Sequence, residues 1–534
     1  MKRRAFLLSS LAFAAPSPTK PLLDRETFRR YVDQFNRDDH EDVAGFIHNA
    51  ESWEWMKREI PFFECPDRDI EQTYYYRWWA FRKHIVKTPV GFVLTEFLKP
   101  VKHATTYNAI SCAAGLHINE GRWLRDPQYL DDYLRFWLRG GESGGLQQHF
   151  HQFSGWISAA VYDRWLADGR TSQMIGLLDA LQTDYHAWEQ ERQVESGLFW
   201  QRDVSDGMES SISGGRRVRN IRPTLNSYMF ANARAIAAIA GLAGNQRLRE
   251  EYEATAATLR RLVEEKLWNS EAQFFETVLE NGQSSGVREE IGFTPWYCNL
   301  PEPGKGYEIA WKQLMDPKGF LAPYGPTTAE QRHPGFQIPY SGDDCQWNGP
   351  SWPFATSVTL RAMANVLNDY PQTAVTREDY LRTLLTYTRS QRLKLSDGRM
   401  IPWIDEDLNP LTGEWLARSL KLRKPGFYGR GDHYNHSSYA DLIITGLVGL
   451  RPRPDDTIDV NPLLPPNTWD WFCLDGIPYH NRMLAILWDR TGQRYRKGRG
   501  LTVLLDGRVV VQGRELGKLT TKLSRDSRAA HPIR

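Results

Sequence analysis

Helix-forming segments separated by long loops dominate the chain from about residue 23 to residue 450. Apolar residues recur at helical spacing over 126–139, 172–193, 225–242, 247–267, 352–367, 379–391 and 439–450. The longest loops, rich in Gly, Pro, Trp and charged residues, span 195–223, 292–346 and 396–437. Because long loops in a compact domain are usually functional, the pattern predicts helical hairpins whose loops build a cleft.

Sequential helical pairs with elaborate loops favour a toroid of helical hairpins. A helical solenoid is the alternative, and the lack of a fixed-period repeat makes it less favourable. After residue 450 the pattern changes: 457–460 and 483–487 predict strands, and 500–512 predicts a hairpin turning at Asp506-Gly507. We therefore predict a mainly α fold, an (α/α)6 toroid over 21–450, with a small C-terminal β domain over 451–519 and a flexible tail over 520–534.

The N-terminus has the pattern of an export signal. Lys2-Arg3-Arg4 precedes a short apolar run that ends at Ala15, and Arg3-Arg4 resembles a twin-arginine signal. The run is too short to span a bilayer, and no later apolar stretch is long enough. The sequence thus predicts a signal peptide at 1–20 and a periplasmic or extracellular protein that has no membrane contact after signal removal. A short amphipathic helix is the alternative for this segment.

Charge and cysteine content restrict the partners of the chain. The 67 Lys+Arg residues nearly balance the 65 Asp+Glu residues, for a net charge of +2, which argues against a nucleic-acid binder. The five cysteines are scattered, and neither His149-Phe150-His151 nor His433-Tyr434-Asn435-His436 has further ligands at metal spacing. We therefore predict no metal and no cofactor, and the sequence leaves the oligomeric state open.

Aromatic residues are unusually frequent, with 20 Trp, 23 Tyr and 23 Phe. The flat apolar faces of Trp and Tyr suit sugar rings, and packing in a large helical core is the alternative. Both interpretations apply to the cluster at 74–84. Its helical spacing is typical of a core in which arginines stack on rings, but Tyr76 and Arg77 are also candidate sugar contacts.

Three acids, Asp203, Asp206 and Glu209, lie in a Gly/Ser-rich loop close to Trp200. Hydrolysis of a glycosidic bond needs a carboxylic acid that protonates the leaving oxygen and a carboxylate that activates water or attacks carbon. A carboxyl group beside an aromatic wall is desolvated, which raises its pKa. The loop is therefore a candidate source of the acid, and capping of the following turn is the alternative.

Two further segments combine acids or aromatic residues with turn residues. Asp405, Glu406 and Asp407 are consecutive acids before a turn, which suits either a catalytic carboxylate or a solvated surface or cation site. In the segment 346–353, two tryptophans flank Asn-Gly-Pro at a predicted helix start, where Pro353 fits the first turn. This arrangement predicts an aromatic shelf for a sugar or, alternatively, a structural corner.

Taken in chain order, these segments resemble the six-hairpin toroid glycoside hydrolases, closest to the group of trehalases, processing α-glucosidases and mannosylglycerate-hydrolase-like enzymes. Glu195-Ser196-Gly197, followed by Asp206 and Ser210, resembles the Glu-Ser-Gly-Trp-Asp-x-Ser segment, whose Asp is the general acid of that family. Arg222-Pro223-Thr224-Leu225-Asn226-Ser227-Tyr228 resembles the Pro-Val-Asp-Leu-Asn-Ser stretch that follows it.

Two more motifs extend the resemblance through about residues 195–440. The segment from Gln346 to Pro353 is similar to the Trp-Arg-Gly-Pro-x-Trp motif that lines the −1 sugar site. The segment from Glu406 to Gly413 is similar to the Glu-Asn-Tyr-x-Pro-x-Thr-Gly segment that carries the catalytic base.

The resemblance implies an inverting hydrolase in which Asp206 is the general acid and Glu406 the general base. The acid segment is longer here than in the family, so Asp203 and Glu209 remain alternatives to Asp206. The predicted substrate-binding residues are Trp200, Gln346, Trp347, Asn348, Trp352, Glu209, Asn226, Tyr76 and Arg77.

The sequence therefore predicts a glycoside hydrolase that cleaves an α-linked oligosaccharide or small glycoside. A polysaccharide lyase or a sugar epimerase on the same toroid is the first alternative. A non-catalytic carbohydrate-binding protein is the second, and the acids at both motif positions argue against it.

Overall fold

The computed structural model describes residues 21–339, 345–422 and 429–523. The predicted signal peptide at 1–20 lies outside the described residues, as does most of the predicted tail.

Helices follow one another along the chain as far as residue 447. The α-helices are α1 Arg29–Asp38, α2 Ser52–Glu59, α3 Arg68–Lys83, α4 Ala114–Gly121, α5 Gln128–Arg139, α6 Ile157–Asp168, α7 Thr171–Ile175, α8 Leu178–Arg192, α9 Pro223–Leu242, α10 Gln246–Leu267, α11 Thr294–Tyr297, α12 Pro353–Asp369, α13 Arg377–Ser390, α14 Leu416–Leu422 and α15 Ala440–Leu442. Short 3-10 helices are Arg25–Phe28, Asn49–Glu51, Thr106–Asn108, Glu142–Gly144, Phe150–Gln152, Val204–Asp206, Glu290–Phe293 and Tyr307–Gln313, and a π-helix, Ile443–Leu447, continues α15.

A closed inner ring of helices forms the toroid. In the described residues, α4 packs on α6, α6 on α9, α9 on α11, α11 on α12, α12 on α15, and α15 on α4. Helix α4 is buried along its whole length. By contrast, α10 buries one stripe at helical spacing and packs outside α9. Helix α4 combines small and apolar residues with three buried polar ones, His117, Asn119 and Glu120, which hydrogen-bond to neighbouring elements.

Most predicted helices agree with the structure within a few residues, and two differ. The predicted helix at 172–193 is two helices, α7 and α8, because the chain turns at Gly176-Leu177. The predicted helix at 439–450 is α15 followed by the π-helix. Tyr380 Oη donates a hydrogen bond to the Leu442 carbonyl (3.3 Å), and a side chain inserted into the backbone ladder interrupts regular α-helix.

The strands form one larger sheet and several small ones. They are β1 Phe62–Glu64, β2 Ile85–Thr88, β3 Gly91–Leu94, β4 Trp200–Gln201, β5 Asn220–Ile221, β6 Trp268–Asn269, β7 Phe274–Phe275, β8 Arg392–Lys394, β9 Met400–Pro402, β10 Leu450–Arg451, β11 Thr457–Val460, β12 Trp471–Tyr479, β13 Arg482–Asp489, β14 Gly500–Leu505, β15 Arg508–Gly513 and β16 Leu519–Lys522. The five-stranded antiparallel sheet has the order β1-β12-β13-β14-β15, and β10-β11-β16 form a second sheet. The remaining strands pair as β2-β3, β4-β5, β6-β7 and β8-β9.

The predicted hairpin is present as β14 and β15. Its turn residues have positive φ, 48° at Asp506 and 78° at Gly507, as a tight hairpin turn requires. Two strands cross the predicted domain boundaries. Strand β1 comes from the N-terminal region yet pairs with β12, and β16 extends the C-terminal sheets to Lys522, beyond the predicted end at 519.

Within the described residues, no helix is both long and apolar enough to cross a membrane.

Candidate active site

A cavity of about 450 Å³ lies at one end of the inner ring. The loops that precede α4, α6, α9, α12 and α15 all contribute to its lining, so these helices direct their N-terminal ends toward it. Glu96, Asp206, Glu209 and Glu406 line this cavity, which we call the acidic cavity. It brings together the two segments that the sequence predicted to be catalytic, although about 200 residues separate them.

Asp206 is held by its neighbours in the cavity wall. Its Oδ2 accepts hydrogen bonds from Arg222 Nε (2.6 Å) and from Thr224 Oγ1, and its Oδ1 accepts one from Ser154 Oγ. The side chain is fully buried and forms an ion pair with Arg222. A general acid must reach the leaving group, but both carboxyl oxygens of Asp206 are already engaged by protein groups. These contacts therefore argue against the predicted role of Asp206 as the acid and indicate an anchor for the loop.

Glu209 has the surroundings that a general acid needs. It is half-buried and lines the acidic cavity. Burial raises the pKa of its carboxyl to about 7, and the negative charges of Glu406 and Asp203 act in the same direction. Glu209 therefore retains a proton near neutral pH, which favours the alternative that the sequence left open.

Asp203, the third acid of the loop, does not line the cavity. Its Oδ1 accepts a hydrogen bond from the Val204 backbone N–H (2.7 Å), at the start of the 3-10 helix Val204–Asp206. The alternative of a capping residue thus describes this acid best.

Glu406 is the member of its acidic triplet that lines the cavity. It is buried, with Oε1 3.7 Å from Arg430 Nε and Oε2 3.5 Å from Cys345 Sγ. Asp405 accepts a hydrogen bond from the Glu406 backbone N–H, and Asp407 accepts one from the Ala417 backbone N–H. Its two neighbours therefore hold the backbone, and Glu406 supplies a carboxylate to the cavity, as its motif register predicts.

Glu96, a further acid, was missed by the sequence analysis. It follows strand β3 and receives a hydrogen bond from Tyr434 Oη on its Oε1. Burial raises the pKa of Glu96 to about 8, and the charges of Glu406 and Glu209 add to this effect. The available signal was an acid within the otherwise uncharged segment 91–98, two residues after the end of strand β3.

Cations balance part of this negative charge. Arg430 lies over the ring of Phe97, 5.0 Å from its centroid, and Arg216 is exposed at the cavity. Arg430 lies outside the motifs of the sequence. Its position next to Glu406 depends on the fold of the 429–438 segment and not on any motif.

The predicted aromatic shelf is present. Trp347 and Trp352 stack with centroids 4.5 Å apart at an interplanar angle of 15°, and both line the acidic cavity. Trp352 Nε1 donates to the Gln346 carbonyl (2.7 Å), which fixes the ring. The shelf thus presents an aromatic face next to the carboxyl groups.

Three of the predicted sugar contacts, Trp200, Tyr76 and Arg77, are not among the described residues that line the acidic cavity, and other groups of the protein contact them. Trp200 lies between the guanidinium groups of Arg192 (4.4 Å) and Arg219 (4.7 Å), away from the cavity. Tyr76 and Arg77 are buried on α3, outside the inner ring.

The contacts of Tyr76 and Arg77 support the core alternative. Tyr76 Oη hydrogen-bonds His433 Nδ1 (2.9 Å). Arg77 donates to the Ser437 carbonyl and to Tyr387 Oη (3.0 Å). Both side chains therefore hold the 433–438 segment, which carries Tyr434 and His436 to the cavity.

Gln346, Asn348 and Asn226 are also not among the described residues that line the cavity. Gln346 Nε2 donates to Asn348 Oδ1 (3.1 Å), which braces the shelf from behind. The Asn226 amide accepts from the Phe199 N–H and donates to the Phe199 carbonyl. These contacts give the amides a supporting role next to the cavity, and their predicted role in binding stays a prediction.

In the part of the chain that the structure describes, no group of three or more His, Cys, Asp or Glu side chains could hold a metal ion. His151 lies between Asp184 (2.9 Å) and Glu191 (3.0 Å), and His433 hydrogen-bonds Tyr76. Each of the two histidine segments, 149–151 and 433–436, thus contains a histidine that already contacts other side chains of the protein.

Comparisons with known proteins agree with this architecture. Residues 106–437 match the mannosylglycerate hydrolase MGH1-like glycoside hydrolase domain, and residues 450–512 match the C-terminal domain of glycosyl hydrolase family 65. A solved chain named "Sialidase" is 46% identical over 95% of this chain, with a TM-score of 0.88. This chain spans only 45% of the length of that solved chain.

More distant structures share the fold. A family 78 rhamnosidase of Bacillus sp. GL1 is 13% identical, with 80% of this chain and 40% of that chain covered and a TM-score of 0.53. An uncharacterized conserved protein from Thermus thermophilus is 14% identical, with coverages of 69% and 98% and a TM-score of 0.50. The predicted resemblance to six-hairpin glycosidases is confirmed.

Proposed function

Because this chain belongs to the mannosylglycerate hydrolase MGH1-like family of glycoside hydrolases, we propose that it hydrolyses an α-linked oligosaccharide or glycoside in the acidic cavity. The observation that carries the proposal is the pair of unlike carboxyl groups in one cavity. Burial raises the pKa of Glu209 to about 7, whereas Glu406 lies 3.7 Å from the Arg430 guanidinium. One carboxyl is thus suited to donate a proton and the other to accept one.

In this mechanism, Glu209 protonates the departing glycosidic oxygen. Glu406 removes a proton from a water molecule that attacks the anomeric carbon from the opposite face, which inverts its configuration. The carboxyl groups of an inverting enzyme are roughly 6.5–9.5 Å apart, with room for this water. The Arg430 guanidinium lies next to Glu406 on the wall of the cavity.

The wall of the cavity suits a sugar ring. The stacked pair Trp347 and Trp352 offers an apolar face on which the ring of the substrate packs. Glu96 also lines the cavity, and burial raises its pKa to about 8, so its carboxyl adds little negative charge beside the sugar at neutral pH.

The test is a panel of α-linked glycosides, neutral and carboxylated, in which the first-formed product anomer is followed by NMR. The proposal expects a β-configured first product from an α-glycoside, and loss of turnover in both Glu209→Gln and Glu406→Gln. The control is Glu253→Gln, the same substitution at an exposed position of α10, which should retain full activity.

Other outcomes separate the alternatives. A product of retained configuration contradicts inversion and indicates a covalent intermediate. Ultraviolet absorbance of an unsaturated uronate indicates a lyase, and an epimerised sugar without cleavage indicates an epimerase. Binding without any product indicates a carbohydrate-binding protein.

The segment 1–20 supports the further proposal that the protein is exported. Fractionation of cells that express the full chain should find it outside the cytoplasm, and replacement of Arg3 and Arg4 by Lys should retain it inside.

A further inference from the structure

A second cavity, of about 320 Å³, lies at the other end of the inner ring. On α12, Phe354 lines the acidic cavity, whereas Arg361, seven residues and about 10 Å further along the helix, lines the second one. Trp156 also lines the second cavity and contacts Phe354 edge-on, with centroids 6.5 Å apart. Aromatic side chains therefore separate the two cavities.

The charged side chains that line this second cavity, which we call the arginine cavity, are mostly basic. Its charged lining residues among those described are Arg122, Arg234, Arg361, Arg451 and Asp163. The carboxylate of Asp163 forms an ion pair with Arg361. Arg122 pairs with Asp441 (2.7 Å), a buried residue outside the lining. The acids next to the cavity are therefore already engaged.

The positive charge of Arg234 is the least compensated. Its side chain is exposed within the cavity, and in the described part of the chain it forms no ion pair. Its contacts are a 3.5 Å hydrogen bond to the Cys298 carbonyl and the Phe230 ring, 5.5 Å away. Arg451 pairs with Asp369 (3.2 Å) at the rim and stays partly exposed. Two guanidinium groups thus offer donors to a ligand.

The rest of the lining combines ring faces with polar side chains. Trp156, Tyr162 and Tyr297 supply aromatic surface, and Asn299 and Thr445 supply hydrogen-bonding groups. Ligand sites of small molecules commonly combine apolar walls with a few placed polar groups, in cavities that begin at about 300 Å³.

We infer that the arginine cavity binds a small molecule that carries a phosphate or carboxylate group on a compact ring. Arginine presents several donors in a planar fork that matches the oxygens of these anions, and charge-assisted hydrogen bonds are stronger than neutral ones. The two cavities lie at opposite ends of the ring, and their charged linings differ: among the described residues, carboxyl groups outnumber guanidinium groups in the acidic cavity, whereas guanidinium groups outnumber carboxyl groups in the arginine cavity.

The test is isothermal titration calorimetry on the full chain at fixed ionic strength. Inorganic phosphate and glucuronate are the charged probes, and glucose is the uncharged control. At least one charged probe should bind to the unchanged protein. Arg234→Gln should weaken that binding by about tenfold or more, because charge-assisted hydrogen bonds of Arg234 are lost.

Matched variants locate the effect. Arg261→Gln removes one positive charge at an exposed position of α10, as Arg234→Gln does in the cavity, and should leave the affinity unchanged. Glu406→Gln should also leave it unchanged, which separates this site from the acidic cavity. Arg234→Lys, which keeps the charge but loses the planar fork, should have an intermediate affinity.

Three results would overturn the inference: no binding of either charged probe, equal binding by Arg234→Gln and the unchanged protein, or loss of binding in Glu406→Gln. Binding of phosphate alone or of glucuronate alone identifies the anion class. Each measurement gives a binding constant and does not depend on turnover, so the result stays valid even if the proposed hydrolysis is not found.

Discussion

At the scale of single residues, Asp206 and Glu209 show how position in the fold decides the role of an acid. The two lie in the same short loop, and Gly207, with φ of 73°, turns the chain between them. A Cβ at Gly207 would lie 2.8 Å from Cys112 Sγ, so a side chain does not fit there. The turn directs Asp206 toward the cation of Arg222 and leaves Glu209 among negative charges in the cavity.

The raised pKa of Glu209 gives a prediction of pH dependence. Only the protonated carboxyl can donate, so kcat/KM should fall as the pH rises through about 7. Glu209→Gln should lower kcat by about 10²–10⁴-fold, the usual contribution of a general acid. A pH series of kcat/KM tests this, with Glu253→Gln as the control. A flat profile between pH 6 and 9 would contradict the assignment.

Asp206→Asn should act mainly on stability. The change removes the partner of Arg222, and both side chains are at most 1% exposed. An uncompensated buried charge typically costs about 3–5 kcal/mol of unfolding free energy. Urea denaturation measures the loss, and Glu253→Gln should unfold like the unchanged protein. If Asp206→Asn keeps full stability but loses all activity, Asp206 has the catalytic role that its contacts argue against.

At the scale of elements, the N-terminal ends of the inner helices hold the site. The first turn of α9 supplies Thr224, a hydrogen-bond donor to Asp206, and Arg222 directly precedes this helix. Pro223 fits the first helical position because no intrahelical donor is needed there. Helix α3 acts from outside the ring through Arg77, which fixes the 433–438 segment. Elements that never touch the cavity thus determine its shape.

Replacement of Arg77 tests this support. Arg77→Met should release the Ser437 carbonyl and Tyr387, and each lost hydrogen bond to a charged group costs roughly 1.5–3 kcal/mol. We expect faster amide hydrogen exchange in 434–438 and a lower kcat/KM. Arg68→Gln, an exposed change on the same helix, is the control. Unchanged exchange in 434–438 would show that Arg77 does not hold the segment.

At the scale of the whole molecule, the C-terminal sheet is joined to the N-terminal region. Strand β1 pairs with β12, with Phe63 opposite Leu474, and both residues are fully buried. Asp475 Oδ2 accepts hydrogen bonds from the backbone N–H groups of Leu22 (2.9 Å) and Leu23 (3.3 Å). The sheet therefore cannot separate from the toroid without breaking backbone pairing and exposing apolar surface.

This pairing predicts cooperative unfolding. Scanning calorimetry should show one transition for the toroid and the β domain together. Phe63→Ala, which removes a fully buried ring, should lower the stability of both by about 3–5 kcal/mol. Two separate transitions, with only one affected by Phe63→Ala, would contradict the coupling.

The sequence by itself determined the features that depend on local pattern. Helical periodicity located α5, α9, α10, α12 and α13, and the Asp-Gly dipeptide located the turn between β14 and β15. Motif register selected Glu406, and the Trp-rich segment predicted the shelf of Trp347 and Trp352. These features depend on neighbours within a few residues, which is the range that a pattern encodes.

Only the tertiary structure decided which groups share the cavity and in which charge state. Glu96 is hydrogen-bonded to Tyr434, 338 residues away in the chain. Arg430 lies 3.7 Å from Glu406, although a loop separates the two residues in the sequence. Trp200 has the same aromatic character as Trp347, but arginines cover its ring. Burial and the charges of distant residues set the pKa of a carboxyl group, and these arise only when the ring closes.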